Sequence, residues 1–139
     1  DRGVPPLGRT VLIAPALDLR LTNPEIALVE PHDPWLARPG VHVAAALWRG
    51  ELPLEDPLVS PLLTDHAGLG PLTVFSGTRD ITHPDTCLLV ERARAAGVEV
   101  DLHEGAGLVH VYPLLPVPEG RAARAVIVRS LTGQKAGQQ

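Results

Sequence analysis

An α/β domain built on a parallel sheet is what this 139-residue sequence predicts, on three observations. Apolar runs rich in β-branched residues occur at Thr10–Ala14 (T-V-L-I-A) and Leu72–Ser76 (L-T-V-F-S). Uninterrupted runs of that length suit strands covered on both faces, as the strands of a parallel sheet are. A third run, Val98–Leu102 (V-E-V-D-L), alternates apolar and charged residues, which gives one wetter face and places it toward the sheet edge. Helix-forming stretches follow the second and third runs. Strand, insertion, strand, helix, strand, helix is the order expected of three parallel strands joined by right-handed crossovers.

Taken in order, the first strand is closed by Pro15. Residues 22–61 then hold seven prolines (24, 31, 34, 39, 53, 57 and 61), which break any long helix. Two short helical stretches remain, Pro24–Val29 and Gly40–Trp48, within an irregular insertion packed over the rest. The second strand ends at Gly77. Pro84 introduces a helix over Asp85–Ala96, composed of good helix formers and stopped by Gly97. Asp85 sits early in it, where a carboxylate complements the positive end of the dipole. Pro118 opens a final helix, Glu119–Leu131, with Ala122, Val126 and Arg129 on one line and Ala125, Val128 and Leu131 beside it. The polar tail Thr132–Gln139 is expected to fray. Three strands are few for a doubly wound domain. The chain opens at Asp1, contains no methionine and has no secretory leader pattern in residues 1–30. A fragment of a longer protein is the expectation.

Composition narrows the function classes. The chain is 45% apolar and 20% charged, with 12 basic against 16 acidic side chains. It lacks the basic block that neutralising nucleic-acid phosphates requires. No apolar run approaches the roughly 20 residues of a membrane span. The single cysteine, Cys87, excludes an internal disulfide and a cysteine-built zinc site, and favours a cytoplasmic setting.

Functional groups of open parallel sheets gather beyond the carboxyl ends of the strands. Two ionisable residues occupy that place: Asp80 in S-G-T-R-D after the second strand, and His110 in E-G-A-G-L-V-H after the third. Neighbouring strands lie about 4.8 Å apart, so their following loops can meet. The carboxylate could then hold the ring tautomer while the imidazole shuttles protons. Turn and surface roles compete with this reading for both residues. Other candidates are weaker. His83 with Asp80 and Asp85 is thin as a metal cluster, and no metal or organic cofactor is expected. His32, His42, His66 and His103 with Glu104 read as surface or locally hydrogen-bonded groups. Cys87 reads as a buried structural thiol with no adjacent base. Trp35 and Trp48, with Leu36 and Leu47, either pack the insertion or wall an apolar pocket. Ser60, Ser76 and Ser130 read as structural, and Arg121, Arg124 and Arg129 as the wet face of the last helix.

The string P-L-V-S-P-L-L-T-D-H-A-G-L-G-P-L-T-V-F-S-G-T-R-D-I-T-H-P-D, followed by A-A-G-V-E-V-D-L-H-E-G-A-G-L-V-H, resembles the C-terminal part of the hormone-sensitive-lipase-like esterases of the α/β-hydrolase superfamily. V-L-I-A-P-A-L-D-L is similar to that family's sixth strand, and residues 22–61 resemble part of its cap. The resemblance runs from about Thr10 to Leu131 and is most specific over Asp56–His110. It implies the C-terminal part of an α/β-hydrolase fold in which Asp80 is the triad acid, His110 the triad histidine and Asp85 a supporting acid bracing the loop. Val111 departs from the family, many members of which carry glycine there. The family's H-G-G-G-type oxyanion loop and G-x-S-x-G nucleophile elbow do not occur here. The chain thus resembles a part supplying the acid and base, but not the nucleophile, of a serine carboxylesterase or lipase acting on small to medium hydrophobic esters. By itself it is expected to be inactive, because those groups act as a unit.

Two alternatives stand beside this one. A non-catalytic, hydrolase-like binding or interaction protein would lack a serine elbow in the parent sequence. A flavodoxin-like domain would need a phosphate-binding glycine loop after a strand, and none is present. An unpaired first strand would further favour homo-oligomers or aggregation along Thr10–Ala14.

Overall fold

A computed structural model describes residues 5–132. Its strands are β1 (Thr10–Ile13), β2 (Leu72–Gly77) and β3 (Val100–Gly105), and its helices are α1 (Ile26–Val29), α2 (Arg38–Trp48), α3 (His83–Ala95) and α4 (Pro118–Thr132). The three strands form one parallel sheet in the order β1-β2-β3. Thr10 pairs with Leu72, and Leu72 with Val100. The β2–β3 ladder runs to Gly77–Gly105, so both strands end level with each other. Among the described residues no helix is long and apolar enough to cross a membrane.

The side chains of β2 alternate between two helix layers, and all six residues are buried. Leu72 and Val74 pack with Ala93 of α3 and with Val98. Phe75 packs on the opposite side with Tyr112 and Ala123 of α4. Central position in the sheet explains why this run is continuously apolar in sequence.

β1 departs from the expectation of burial on both faces: its four residues are only half-buried, because among the described residues it pairs with β2 alone. It also ends one residue early. Ala14 turns to φ +44° while its N–H still reaches Phe75 O at 2.8 Å.

The third strand starts two residues later than the alternating pattern suggests. Gly97 (φ +81°) follows α3; its N–H bonds Arg94 O, and the Val98 N–H bonds Ala93 O. These two bonds, with the Val98–Ala93 apolar contact, are the Schellman helix stop. Val98 is therefore consumed in ending α3, and the ladder begins at Val100. The wetter character read from V-E-V-D-L does correspond to an edge strand among the described residues.

α2 begins before the expected Gly40 because Pro39 fits the first helical turn, where its missing N–H costs nothing. α3 likewise takes Pro84 into its first turn. The face of α4 differs from the expected line. Gly120 and Ala123 are buried, with Val126 and Ile127 partly so against Phe75 and Tyr112, whereas Ala122, Ala125, Val128 and Leu131 are exposed. Small residues win the buried stripe because the chain comes close: a Cβ on Gly120 would lie 2.7 Å from Tyr112 O. The expected frayed tail lies, beyond Thr132, outside the described residues.

Candidate active site

Two loops leave the level ends of β2 and β3 and are tied to each other by main-chain bonds. The Thr78 N–H reaches Gly105 O at 3.0 Å, the Arg79 N–H reaches Leu108 O at 3.0 Å, and the Gly107 N–H donates to Thr78 Oγ1 at 2.8 Å. Gly77 allows this approach, since a Cβ there would lie 2.7 Å from the Leu108 carbonyl carbon and 2.8 Å from Val109 O.

The tied loops bring Asp80 and His110 together, with Asp80 Oδ2 and His110 Nδ1 2.8 Å apart. Asp80 is fully buried, and a buried carboxylate needs partners. It has them: Oδ2 takes the imidazole, and Oδ1 accepts the Thr82 N–H at 2.9 Å. A carboxylate facing Nδ1 places the neutral ring's proton on that nitrogen and the lone pair on Nε2. The His110 ring keeps 24% of its side-chain surface exposed, so it is reachable.

Residues the sequence did not single out hold this turn. Asp33 Oδ1 accepts the N–H groups of Trp35 (2.8 Å) and Leu36 (2.9 Å), while Oδ2 accepts the Ile81 N–H at 2.9 Å. Arg79 Nε donates to His32 O at 3.0 Å. The insertion is thus fastened onto the loop that carries Asp80, and Leu21, Ile26 and Ile81 form a small core beneath it with Leu36 and Val41. The available signal was the Asp33–Pro34 dipeptide, which favours turn initiation.

Asp85 is placed differently from the expected loop brace. It is buried in the first turn of α3 and accepts Asn23 Nδ2 at 2.9 Å, so it ties α3 to the start of the insertion rather than to Asp80. Burial pushes its carboxyl above the usual range, against the lowering effect of the Asn23 bond. It borders a cleft of about 470 Å³ with Asp18, Arg20 and Asn23.

The four expected pocket residues do not converge. Trp35 and Leu47 are largely exposed, and Leu36 belongs to the core under the insertion. Trp48 forms one wall of an apolar cavity of about 370 Å³ with Ala16, Leu19, Val41 and Val59. Neither Asp80 nor His110 lines that cavity or the Asp85 cleft.

Other expectations also need correction. Cys87 is half-buried and does have a base beside it: His83, one helical turn earlier, has Nε2 3.5 Å from Sγ. Burial pushes the thiol up, and nearby Glu104 and Glu25 add to it. His66 is buried, and burial pushes its imidazole down. His103 is locally bonded as expected, its Nε2 2.9 Å from Asp101 Oδ2, and its ring also stacks on Phe75 with centroids 4.6 Å apart. Arg124 is not simply a wet residue, since it donates to Pro113 O and Leu115 O. Ser60 and Ser130 make hydrogen bonds in keeping with the structural reading: Ser60 Oγ accepts the Leu19 N–H, and Ser130 Oγ donates to Ile127 O.

The chain is 29% identical over 125 residues to an esterase of Acinetobacter venetianus, matching 88% of this chain and 41% of that protein. It is 29% identical over 141 residues to an acetyl-hydrolase of Streptomyces hygroscopicus, matching 96% and 46%. The chain therefore spans less than half the length of these curated relatives. The crystal structure of an esterase from the bacterial hormone-sensitive lipase family superposes with a TM-score of 0.89 at 34% identity, over 95% of this chain and 45% of that one. The family model described as alpha/beta hydrolase fold matches residues 1–114. Three parallel strands in one sheet with helices on both faces are consistent with part of that fold: the chain belongs to the alpha/beta hydrolase family and is similar to its hormone-sensitive-lipase-like esterases.

Proposed function

We propose that the chain supplies the acid and base of a serine carboxylesterase or lipase whose nucleophile and oxyanion donors come from an upstream part of the same protein. The carrying observation is the 2.8 Å Asp80–His110 contact beyond the ends of two adjacent parallel strands. In this reading Nε2 of His110 takes the proton of an upstream serine as its oxygen attacks the ester carbonyl. The buried Asp80 stabilises the imidazolium that results. The imidazolium then protonates the departing alcohol, and the same nitrogen activates the water that releases the acid. Asp80 and His110 are the catalytic residues, and Asp33 and Asp85 position the elements around them.

Small to medium hydrophobic esters are the proposed substrates. The support is the insertion, residues 22–61, read as cap-like: it is fastened to the Asp80 turn and exposes large apolar side chains, Trp35, Leu47 and Trp48 among them. An esterase and an acetyl-hydrolase among the relatives agree with an ester substrate class.

The test uses the full-length protein and a chromogenic short-chain ester. Asp80→Asn is expected to lower kcat by about 10³–10⁴-fold by spoiling the tautomer, and His110→Ala to abolish measurable turnover. Wild-type rates in His110→Ala would reject the reading and favour a non-catalytic binding role.

A further inference from the structure

His83, Cys87 and Glu104 form a second constellation, apart from Asp80 and His110. One donor atom from each lies within 4.8 Å of the other two. His83 and Cys87 are one turn apart on α3, and Glu104 is the penultimate residue of β3. His83 Nε2 is 3.5 Å from Cys87 Sγ and 3.3 Å from Glu104 Oε2. Cys87 Sγ also lies 4.0 Å from Nδ1 of the same ring.

Those separations are those of ligands sharing an ion. Zinc binds nitrogen and carboxylate oxygen at about 2.0–2.2 Å and thiolate at about 2.3 Å in tetrahedral sites, so the edges between ligand atoms come to roughly 3.3–3.6 Å. Both His83 Nε2 edges fall in or near that range, and rotation of the Cys87 thiol and of the half-exposed Glu104 carboxylate brings both onto a shared ion.

The ring is also presented for ligation. Ser76 Oγ lies 3.0 Å from His83 Nδ1, and Ser76 is fully buried at the end of β2. With an ion on Nε2 the ring proton sits on Nδ1, where the Ser76 oxygen accepts it. An outer partner of this sort fixes tautomer and orientation in histidine–metal sites. Glu104 then lies beside Nε2, and Cys87 Sγ, now over the ring face, meets the ion by turning about its own Cα–Cβ bond. Imidazole, thiolate and carboxylate together suit borderline-soft divalent ions and not calcium or magnesium.

We propose that His83, Cys87 and Glu104 bind Zn²⁺ or a cation of the same class, with Ser76 orienting the imidazole and a fourth position open to water. Binding releases the Cys87 thiol proton to solvent, leaving a thiolate on the ion. The ion joins the start of α3 to the end of β3. His83 is three residues past Asp80, and its N–H bonds Asp80 O at 2.9 Å. Occupancy therefore stiffens the turn that carries the buried carboxylate. Nothing in this assignment depends on the hydrolase reading.

One cysteine in the whole chain makes the test clean. The 139-residue protein is titrated with Cd²⁺ and followed by thiolate-to-metal charge-transfer absorption, with Zn²⁺ as competitor. One equivalent is expected to develop the band, Zn²⁺ to displace it, and bound Zn²⁺ to shield Cys87 from a thiol reagent. Glu104→Gln, at an exposed position, is expected to weaken Zn²⁺ at least about 10-fold, and Ser76→Ala by about 10–100-fold. His103→Gln, whose ring stacks on Phe75 instead, should leave affinity unchanged. Absence of the band, or a band whose affinity is the same in wild type, His83→Asn and Glu104→Gln, would show a bare thiol and overturn the site.

Discussion

Replacing Gly77 by alanine perturbs the candidate site without touching either titrating side chain. The new methyl would be driven into the Leu108 carbonyl, 2.7 Å from its carbon and closer still to its oxygen, and 2.8 Å from Val109 O. Both obstacles are backbone and cannot rotate away. Restoring ordinary contact requires the 108–109 chain to retreat by about 0.7–1 Å. His110 is the next residue, and Asp80 follows Gly77 by three. A retreat of that size stretches a 2.8 Å contact beyond hydrogen-bonding range. Misplacement by about 1 Å is worth on the order of 10²-fold in rate, and overpacking costs about 1–3 kcal/mol. The measurements are kcat/KM of the full-length variant on a short-chain ester and urea unfolding of the 139-residue chain. Gly40→Ala is the control, because a Cβ there meets nothing within 4 Å. Equal behaviour of the two variants in both assays would refute the claim that Gly77 sets the distance between the loops.

Val111, beside His110, adopts φ +46°, a left-handed conformation that costs a β-branched residue about 1–3 kcal/mol. Val111→Gly is expected to raise stability by about 1 kcal/mol after the entropic loss of about 0.5–1 kcal/mol for glycine, read from the urea midpoint. Asp33→Ala strips three N–H groups of their acceptor, including that of the buried Ile81, and should cost about 1–3 kcal/mol in the same assay. Asp85 has a folded pKa above its unfolded one, so the native state holds the extra proton and stability falls as pH rises from the ordinary carboxylate range through the raised value. Asp85→Asn should flatten that fall and gain stability at neutral pH, as urea midpoints across acid to neutral pH would report. Finally, β1 is paired on one side only among the described residues, and sedimentation of the 139-residue chain should reveal concentration-dependent association that Val11→Lys reduces.

How much of this was legible in the residues differs from element to element. β2 was legible because a strand covered on both faces must be apolar at every position, and L-T-V-F-S is nearly so. α3 was legible from its formers and from Gly97. The start of β3 was not, because Val98 satisfies a strand pattern and a helix stop equally well, and only the hydrogen bond to Ala93 O decides between them. The stripe of α4 was misplaced because glycine and alanine carry little hydrophobic signal, yet they are what fits where the backbone comes closest.

The site divides in the same way. Local chemistry named Asp80 and His110, since each follows a strand that could be recognised from its own residues. The family resemblance, and not local chemistry, flagged position 111, where the backbone keeps a conformation suited to glycine although valine occupies it. What the linear order could not convey is which distant atoms share a space: Asp33 under Ile81, Asn23 on Asp85, and Ser76 behind His83 with Glu104 in front. Periodicity and propensity are properties of neighbours along the chain, and they determined the strands and helices and put Asp80 and His110 just beyond two strand ends. Distances between side chains 30 to 60 residues apart come from sheet register and close packing, so the pairing, its braces and the His83 cluster were decided by the tertiary structure alone.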